Sequence, residues 1–516
     1  MSFSSPETTE TEMTSAVSAE SAPLSIAFAN TYAQLPGQFY ARLDPTPVSS
    51  PQIVKLNTRL AEKLGMDASA LASAAGVEFL AGNRIVPGSE PLAMAYAGHQ
   101  FGHFVPQLGD GRANLLGEVI GHDGQRYDIQ LKGSGRTPFS RGGDGRAALG
   151  PALREYIVSE AMAALGVPTA RALAVVTTGE MVFREGPLPG AVFTRVAASH
   201  LRVGTFQYFA ARGDVGDIRT LADYAIARHY PEAAHASNPY RTFLDGVIAR
   251  QAHLVAQWVL FGFIHGVMNT DNMSISGETI DYGPCAFLET YEPDKVFSSI
   301  DHRGRYAYSN QQHAAQWNLA RLAETLLPLL AQETGSEEAA LASATEALAA
   351  FTAQFDAARL AGLRRKIGLI AEHAGDAALA EDLLARMAAN GADFTLTFRR
   401  LCDAALGPQG DDGVRALFAD PNAYEAWALG WRRRLQDEPT TAQQRAEAMR
   451  RVNPIYIPRN HFVEAAIAEA VQIADFAEFE NLLEATSKPY EEQPELEPYA
   501  RPARPEQCVT QTFCGT

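Results

Sequence analysis

Cysteine is scarce in this chain: Cys285, Cys402, Cys508 and Cys514 are the only four in 516 residues, and no two stand in a CxxC spacing. A disulfide framework and a cysteine-built zinc or redox centre are thereby excluded as organising devices, and a reducing compartment is expected. Long apolar runs are missing as well. The most apolar stretch, Leu254 to Ile264, is far shorter than the roughly 20 residues a membrane helix needs. Positive charge is in deficit: 43 Lys and Arg stand against 60 Asp and Glu, for a net charge of −17. Such a chain repels polyanions, so neither a nucleic acid nor an anionic membrane is expected as a partner. The first 25 residues carry no Lys, no Arg and no apolar core, so they read as neither a transit nor a signal peptide. Residues 1–24 are expected to be a disordered acidic tail, and the protein a cytoplasmic monomer.

What is present is a long chain, 46% hydrophobic, enough for a large two-lobed domain or two to three domains. The spacing from Ile53 to Leu64 predicts a helix closed by Gly65. Leu115 to Ile120 and Gln125 to Lys132 read as strands joined by a tight turn, Gly121 to Gly124. The second strand alternates strictly. Tyr127, Ile129 and Leu131 take one face, while Arg126, Asp128, Gln130 and Lys132 take the other. Lys132 therefore ends a strand on its polar side, just before a loop rich in glycine and arginine. That fits a solvated lysine, and equally the strand lysine that grips phosphates in a kinase-like fold.

The loop, residues 133–150, holds Gly133, Gly135, Gly142, Gly143 and Gly145 with Arg136, Arg141 and Arg146. Glycines let backbone N–H groups approach phosphates, and long irregular loops in compact proteins are usually functional. A helix is expected after Gly150-Pro151, ending at Gly166. Glu155 and Glu160 both lie on it, and spacing alone leaves open which one pairs with Lys132. Further strands are expected between residues 168 and 210, in RALAVVTTGE and GAVFTRVA. Arg195 and Arg202 lie in apolar surroundings, where a buried guanidinium requires an anionic partner. Helices are expected from Leu221 to Tyr230, from Thr242 to Ile264, and from His313 to Leu330. Ala/Leu-rich helices follow over residues 336–450.

Between two of these helices runs HGVMNTDNMSISGETIDYGPCAFL, residues 265–288. Asp271-Asn272 and Asp281 are spaced for a loop, a short hairpin and a second loop. That arrangement gathers hard oxygen ligands while leaving room for phosphate oxygens; the same residues are also ordinary turn formers. The order of elements, strands with a lysine and glycine loops followed by helices opening on a metal-type loop, is that of a protein-kinase-like α+β fold. It divides the chain into a strand-rich N-lobe at 25–215, a C-lobe at 216–330, a helical extension at 331–487, and a tail at 488–516 carrying Cys514.

LGDGRA at 108–113, LKGSGRTPFSRGGDGRAALGPALREY at 131–156, HGVMNTDNMSISGETIDYGPCAFLE at 265–289 and NPIYIPRNHFVE at 453–464 resemble the selenoprotein O family. This is a family of kinase-like protein adenylyltransferases, and the likeness covers roughly residues 25–516. Aligned on His265 and Asn272, Val267 stands where a kinase keeps its catalytic Asp, and valine cannot accept a proton. The resemblance implies altered chemistry: ATP bound in a flipped orientation, AMP passed to Ser, Thr or Tyr hydroxyls of proteins, and pyrophosphate released. It implies Asp271 as the base and Asn272 and Asp281 as ligands of Mg2+ or Mn2+. Lys132, Arg195 and Arg202 would hold the phosphates, with Glu155 rather than Glu160 paired to Lys132. Gly109, Gly111, Arg112, Asp144, Gly145 and Asp281 would complete the nucleotide pocket. Eukaryotic relatives carry selenocysteine near the C-terminus, in the place of Cys514; a disulfide between Cys514 and Cys285 would close the tail over the site. A kinase-like phosphotransferase, UMP transfer from UTP and a non-catalytic scaffold are the competing readings, the last disfavoured because the full ligand set is present.

Overall fold

The computed structural model describes residues 24–513, so the tail expected over residues 1–24, save Leu24 itself, and Cys514 lie outside the described residues. The chain is mixed α and β, with helix predominating. Its main sheet is antiparallel throughout. In spatial order its strands are Tyr40–Arg42, Leu92–Met94, Ala113–Ile120, Arg126–Lys132, Pro187–Ala197, Arg171–Phe183 and Gln52–Leu56. The two-residue strand Ala147–Ala148 adds to the Pro187–Ala197 strand. The hairpin read from Gly121 to Gly124 pairs Ile120 with Arg126 and Ala113 with Lys132.

One face of the sheet is closed by short helices. Leu60, Leu71, Phe79 and Leu80 from these meet Ile129, Leu131, Val176 and Val192. This is the apolar side of the Arg126–Lys132 strand. The polar side is not solvated as alternation alone would have it: Asp128 and Gln130 are buried too. On that side lie the charged cluster described below and the helix Leu149–Leu165, which ends at Gly166 in the left-handed conformation with φ 84°. Leu153, Tyr156 and Ile157 of this helix pack on Val175, Ala191 and Phe193 of the sheet.

Two expected helices are corrected. Ile53 to Leu64 is not one helix but the strand Gln52–Leu56 followed by the helix Thr58–Lys63. The break falls at Asn57, whose side chain accepts from Leu60 N at 3.1 Å and so caps a new helix, while β-branched Ile53 and Val54 fit the sheet edge. The helix expected from Thr242 to Ile264 spans Pro239–Phe261 and stops at Gly262, φ 72°. Phe263–Ile264 then form a two-residue strand with Ala286–Phe287. That pairing ties the chain before Asp271 to the chain after Asp281. The helix read at Leu221 to Tyr230 is Val215–His229, and that read at His313 to Leu330 is Gln311–Thr334.

The second half of the chain is built around the helices Pro239–Phe261, Gln311–Thr334 and Glu337–Lys366, whose apolar faces share one core. The last two long helices, Asn460–Ile473 and Ala477–Ser487, return to the sheet half. Val463, Ala466, Phe479 and Leu482 pack against Leu149, Leu153, Tyr156 and Ile157. The helix that carries Glu155 is thus held between the sheet and the C-terminal helices. Among the described residues no helix is long and apolar enough to cross a membrane.

Candidate functional site

A cleft of about 790 Å³ lies between the sheet and the loops that follow the Pro239–Phe261 helix. Gly109, Gly111, Arg112, Lys132, Asp144, Gly145, Glu155, Arg195, Arg202, Asp271, Asn272 and Asp281 all line it. They come from segments spread between residues 109 and 281, and the fold brings each to the same cleft.

Lys132 ends its strand beside Phe193 of the neighbouring strand, two residues from Arg195. Its Nζ reaches Glu155 Oε2 at 2.5 Å and Asp281 Oδ1 at 3.0 Å. Glu160, the rival on the same helix, is occupied elsewhere: it accepts from Arg171 at 2.8 and 2.7 Å and from Asn57 at 2.8 Å. Arg195, almost fully buried, donates to Asp281 Oδ1 at 2.7 Å, Glu155 Oε1 at 3.3 Å and Gln130 Oε1 at 2.6 Å. Arg202, equally buried, donates to Asp281 Oδ2 at 2.9 Å and to the Asp271 carbonyl at 2.7 Å, with its guanidinium 4.5 Å from the centre of the Tyr96 ring. The anionic partner that sequence required of both arginines is therefore met within the chain by Asp281, with Glu155 added for Arg195. Three cations converge on Glu155 and Asp281, and Arg202 also stands 3.9 Å from the buried carboxylate of Asp110.

Asp281 sits at φ 62°, a left-handed conformation uncommon outside glycine and asparagine, and stored strain of this kind gathers at functional sites. His265 helps to fix it. The buried imidazole Nε2 contacts the Ile280 carbonyl at 2.9 Å, and the His265 backbone N–H donates to Gln311 at 3.0 Å. Burial opposes the charge on Asp281, but Arg195, Lys132 and Arg202 outweigh it and hold its carboxyl well below the ordinary range.

Asp271 is the opposite case. Burial dominates, and its carboxyl is pushed up to about 6 against the pull of Arg202. Oδ2 accepts from Gln100 Nε2 at 3.4 Å, whereas Oδ1 is buried without a hydrogen-bond partner among the described residues. Asn272 follows on the same short 3-10 turn, Thr270–Asn272, and donates its Nδ2 to the Val267 carbonyl at 2.9 Å, which leaves the carboxamide oxygen as its remaining acceptor. Val267 lines the cleft beside Asn272. The hairpin expected between Asn272 and Asp281 is reduced to a single bridge, Met273 with Thr279.

The glycine-rich loop folds back on itself through Gly135 N to Gly145 O at 3.0 Å. A Cβ on Gly145 would lie 2.1 Å from the Gly135 carbonyl, so glycine here is required by close backbone approach and by φ 71°. Gly109 meets the same limit against the Phe139 ring at 2.3 Å. Of the loop arginines, Arg146 donates to the Thr46 and Pro47 carbonyls, while Arg136 and Arg141 are exposed. Asp144 is taken up by Arg184 at 2.8 and 3.2 Å, which lowers its pKa.

Sequence reasoning passed over Tyr96, Gln100, Asp110 and Gln130, all of which shape the charged cluster or touch Asp271. Tyr96, Gln100 and Gln130 are uncharged side chains with no spacing that marks a role, and Asp110 is one carboxylate among the glycines of residues 109–111. The nearest signal was their position inside the glycine-rich stretch 96–150. Cys285 is buried four residues beyond Asp281. Beside it the C-terminal segment is anchored, Thr512 Oγ1 donating to the Pro284 carbonyl at 2.6 Å.

A buried cluster of Lys and Arg facing a carboxylate with a raised pKa, across a cleft lined by glycine turns, is chemistry suited to an enzyme site that handles phosphate. The family described as protein adenylyltransferase SelO matches residues 23–487, and the chain belongs to that family. It is similar to proteins named protein nucleotidyltransferase YdiU. One from Methylorubrum extorquens is 62% identical over 495 residues, covering 95% of this chain and 99% of that protein. One from Nitrobacter hamburgensis is 60% identical over 497 residues, covering 96% and 97%. One from Bradyrhizobium diazoefficiens is 62% identical over 489 residues, covering 95% and 99%. The chain is accordingly an enzyme of the nucleotidyltransferase class.

Proposed function

We propose that this enzyme transfers AMP from ATP to Ser, Thr or Tyr hydroxyls of other proteins, within a two-lobed, protein-kinase-like frame formed by residues 25–215 and 216–330. The observation that carries the reading is the pairing, in one cleft, of Asp271, whose carboxyl is raised to about 6, with the Lys132–Arg195–Arg202 cluster gathered on Asp281. In this mechanism Asp271 is the base. A carboxylate titrating near 6 is ionised at neutral pH yet basic enough to take a hydroxyl proton as the bond forms. The acceptor oxygen attacks the α-phosphorus, the bond from α-phosphorus to the β-bridging oxygen breaks, and pyrophosphate leaves with the electron pair. Lys132, Arg195 and Arg202 neutralise the departing charge. Glu155 and Asp281 keep these cations assembled beforehand, so little reorganisation accompanies the reaction. Gly109, Gly111, Arg112, Asp144 and Gly145 form the remainder of the nucleotide wall.

The residues present suit a hard divalent cation. Asn272 Oδ1 and Asp281 Oδ2 are oxygen donors of the kind Mg2+ and Mn2+ prefer. Among the described residues no group of three or more His, Cys, Asp or Glu is gathered as a protein-only cage would need. A site completed by phosphate oxygens and water matches that donor set. Such a cation would offset charge on the polyphosphate.

The relatives are named for nucleotidyl transfer without a stated base, so UMP transfer from UTP is the second reading. The test is ATP labelled at the α- or the γ-phosphorus, incubated with the enzyme and acceptor proteins. Label from the α position is expected in protein. Label from the γ position alone would establish a phosphotransferase, and stronger transfer from α-labelled UTP would establish uridylyl transfer. Redox closure through Cys285 and Cys514 belongs to the same proposal, supported by the anchoring of Thr512 on Pro284. It predicts that Cys514→Ala abolishes any difference in activity between oxidising and reducing conditions.

A further inference from the structure

The hairpin formed by Gly98–Gln100 and His103–Val105 stands between Asp271 and the protein surface. It is fixed to the Asp271 loop at three points. His99 N donates to Thr270 Oγ1 at 2.7 Å, Phe101 N donates to Asn269 Oδ1 at 3.0 Å, and Gln100 reaches Asp271. Its turn is Phe101-Gly102, both at positive φ, 51° and 87°. Two-residue hairpins favour such backbone with Asn-Gly; a phenylalanine there costs about 1–2 kcal/mol. The strained residue is held by its ring, 5.2 Å from that of Tyr306, whose hydroxyl donates to the same Asn269 Oδ1 at 2.8 Å.

The outer side of this hairpin is aromatic and cationic. Phe104 is 42% exposed. His99 lies 4.9 Å from its ring and 5.1 Å, edge-on, from Trp317. Trp317 in turn is flanked by two guanidinium groups, Arg305 at 4.7 Å and Arg321 at 4.9 Å. Arg321 has a carboxylate, Glu324 at 2.6 Å. Arg305 forms no ion pair with any described residue, and its Nε has no hydrogen-bond partner. The carboxylate nearest it in sequence, Asp301, is committed to backbone N–H groups, those of Arg305 at 2.9 Å and Tyr306 at 2.8 Å. The guanidinium rests against the tip of the hairpin, its Cζ 3.6 Å from where a Cβ on Gly102 would be.

An arginine stacked on tryptophan and left without a carboxylate, in a chain with 60 acidic residues, is a site short of one anion. We infer that this rim is where the acceptor polypeptide docks, and that Arg305 selects an Asp or Glu side chain close to the hydroxyl that is modified. The inference rests on the proposed transfer to protein hydroxyls. Its chemistry is ordinary: a planar guanidinium receives a carboxylate with two parallel hydrogen bonds, and Trp, Arg and exposed aromatic surface supply the apolar contact of a peptide site. The chain's overall negative charge would repel acidic segments elsewhere and leave this rim as the favoured approach.

The experiment uses peptides of one sequence around a serine, with Ala, Glu or Lys placed in turn at each flanking position, and α-labelled ATP. With the wild-type enzyme Glu is expected to exceed Lys in kcat/KM by about tenfold at one position, the scale of a single well-placed charge pair. Arg305→Ala is expected to level that ratio and Arg305→Glu to invert it. A ratio between peptides is indifferent to partial loss of folding or of nucleotide binding, so inversion speaks to acceptor choice alone. Equal rates for Glu and Lys peptides with the wild type, or a Glu preference that survives Arg305→Glu, would overturn the inference while α-label transfer itself stands. Absence of α-label from every peptide and from the enzyme would instead overturn the hydroxyl-transfer reading beneath it.

Discussion

Gly98→Ala places a single methyl group against the proposed base. An ideal Cβ at this position lies 2.4 Å from Asp271 Oδ1 and 2.9 Å from both Asp271 Cγ and Leu108 Cδ1. The leucine methyl can rotate away. The carboxylate has less room to move, because Asp271 and its neighbours are tied down: Thr270 Oγ1 accepts from His99 N, the Asp271 carbonyl accepts from Arg202, and Asn272 Nδ2 donates to the Val267 carbonyl. Restoring ordinary contact requires a retreat of about 1 Å, and a misplacement of that size at a reacting group costs on the order of 10²-fold in rate. Gly98 is not at positive φ, so alanine brings no backbone strain of its own. Lys132, Arg195 and Asp281 lie outside the clash, so the loss is expected in kcat, with KM for ATP little changed. Gly186→Ala is the control, since nothing lies within 4 Å of its Cβ and its φ is unremarkable. Steady-state transfer of α-label measures both variants. Turnover of Gly98→Ala at the wild-type rate would refute the placement of Asp271 at the reacting centre.

Two further predictions concern the framework. Lys366 is buried among Phe261, Phe394 and Phe398, and burial pulls its pKa down to about 7. The folded state then binds fewer protons than the unfolded state between about 7 and the ordinary lysine value near 10.4, so stability rises with pH across that window and is lost as pH falls towards 7. Urea unfolding of the wild type is expected to show this rise, and Lys366→Met to be more stable at pH 7 with the rise removed; parallel pH profiles would contradict it. Arg459, fully buried, bonds Glu289, Asp393 and the Ala500 carbonyl. Arg459→Leu strands two carboxylates and is expected to cost about 3–5 kcal/mol in urea unfolding.

Much of the site was legible because its residues carry strong local signals. Strict alternation put Lys132 on the polar side of its strand, apolar neighbours marked Arg195 and Arg202 as needing an anion, and the spacing of Asp271, Asn272 and Asp281 pointed to one place, where all three line the cleft. The limits are equally physical. Glu155 and Glu160 share one helix, and only the position of Arg171 and Asn57, on other elements, assigns Glu160 away from Lys132. The helix read across Asn57 failed because its 3.6-residue pattern spans a strand edge and a capped helix that happen to be in phase. That Asp281 would meet both arginines could not be read from the sequence, because the chain after Ile280 turns through a left-handed residue that no propensity predicts. The return of the helices after residue 459 to the Glu155 helix is purely tertiary, a matter of which apolar faces meet.

The role of Asp271 as the base for adenylyl transfer is tested most directly by single-turnover kinetics. Wild type and Asp271→Asn are mixed with acceptor at saturating α-labelled ATP, and label entering protein is followed in time. The asparagine keeps the shape and cannot take the proton, so ATP is expected to bind while transfer falls by about 10²–10⁴-fold, the span of general-base catalysis. Transfer by Asp271→Asn at the wild-type rate would contradict the account.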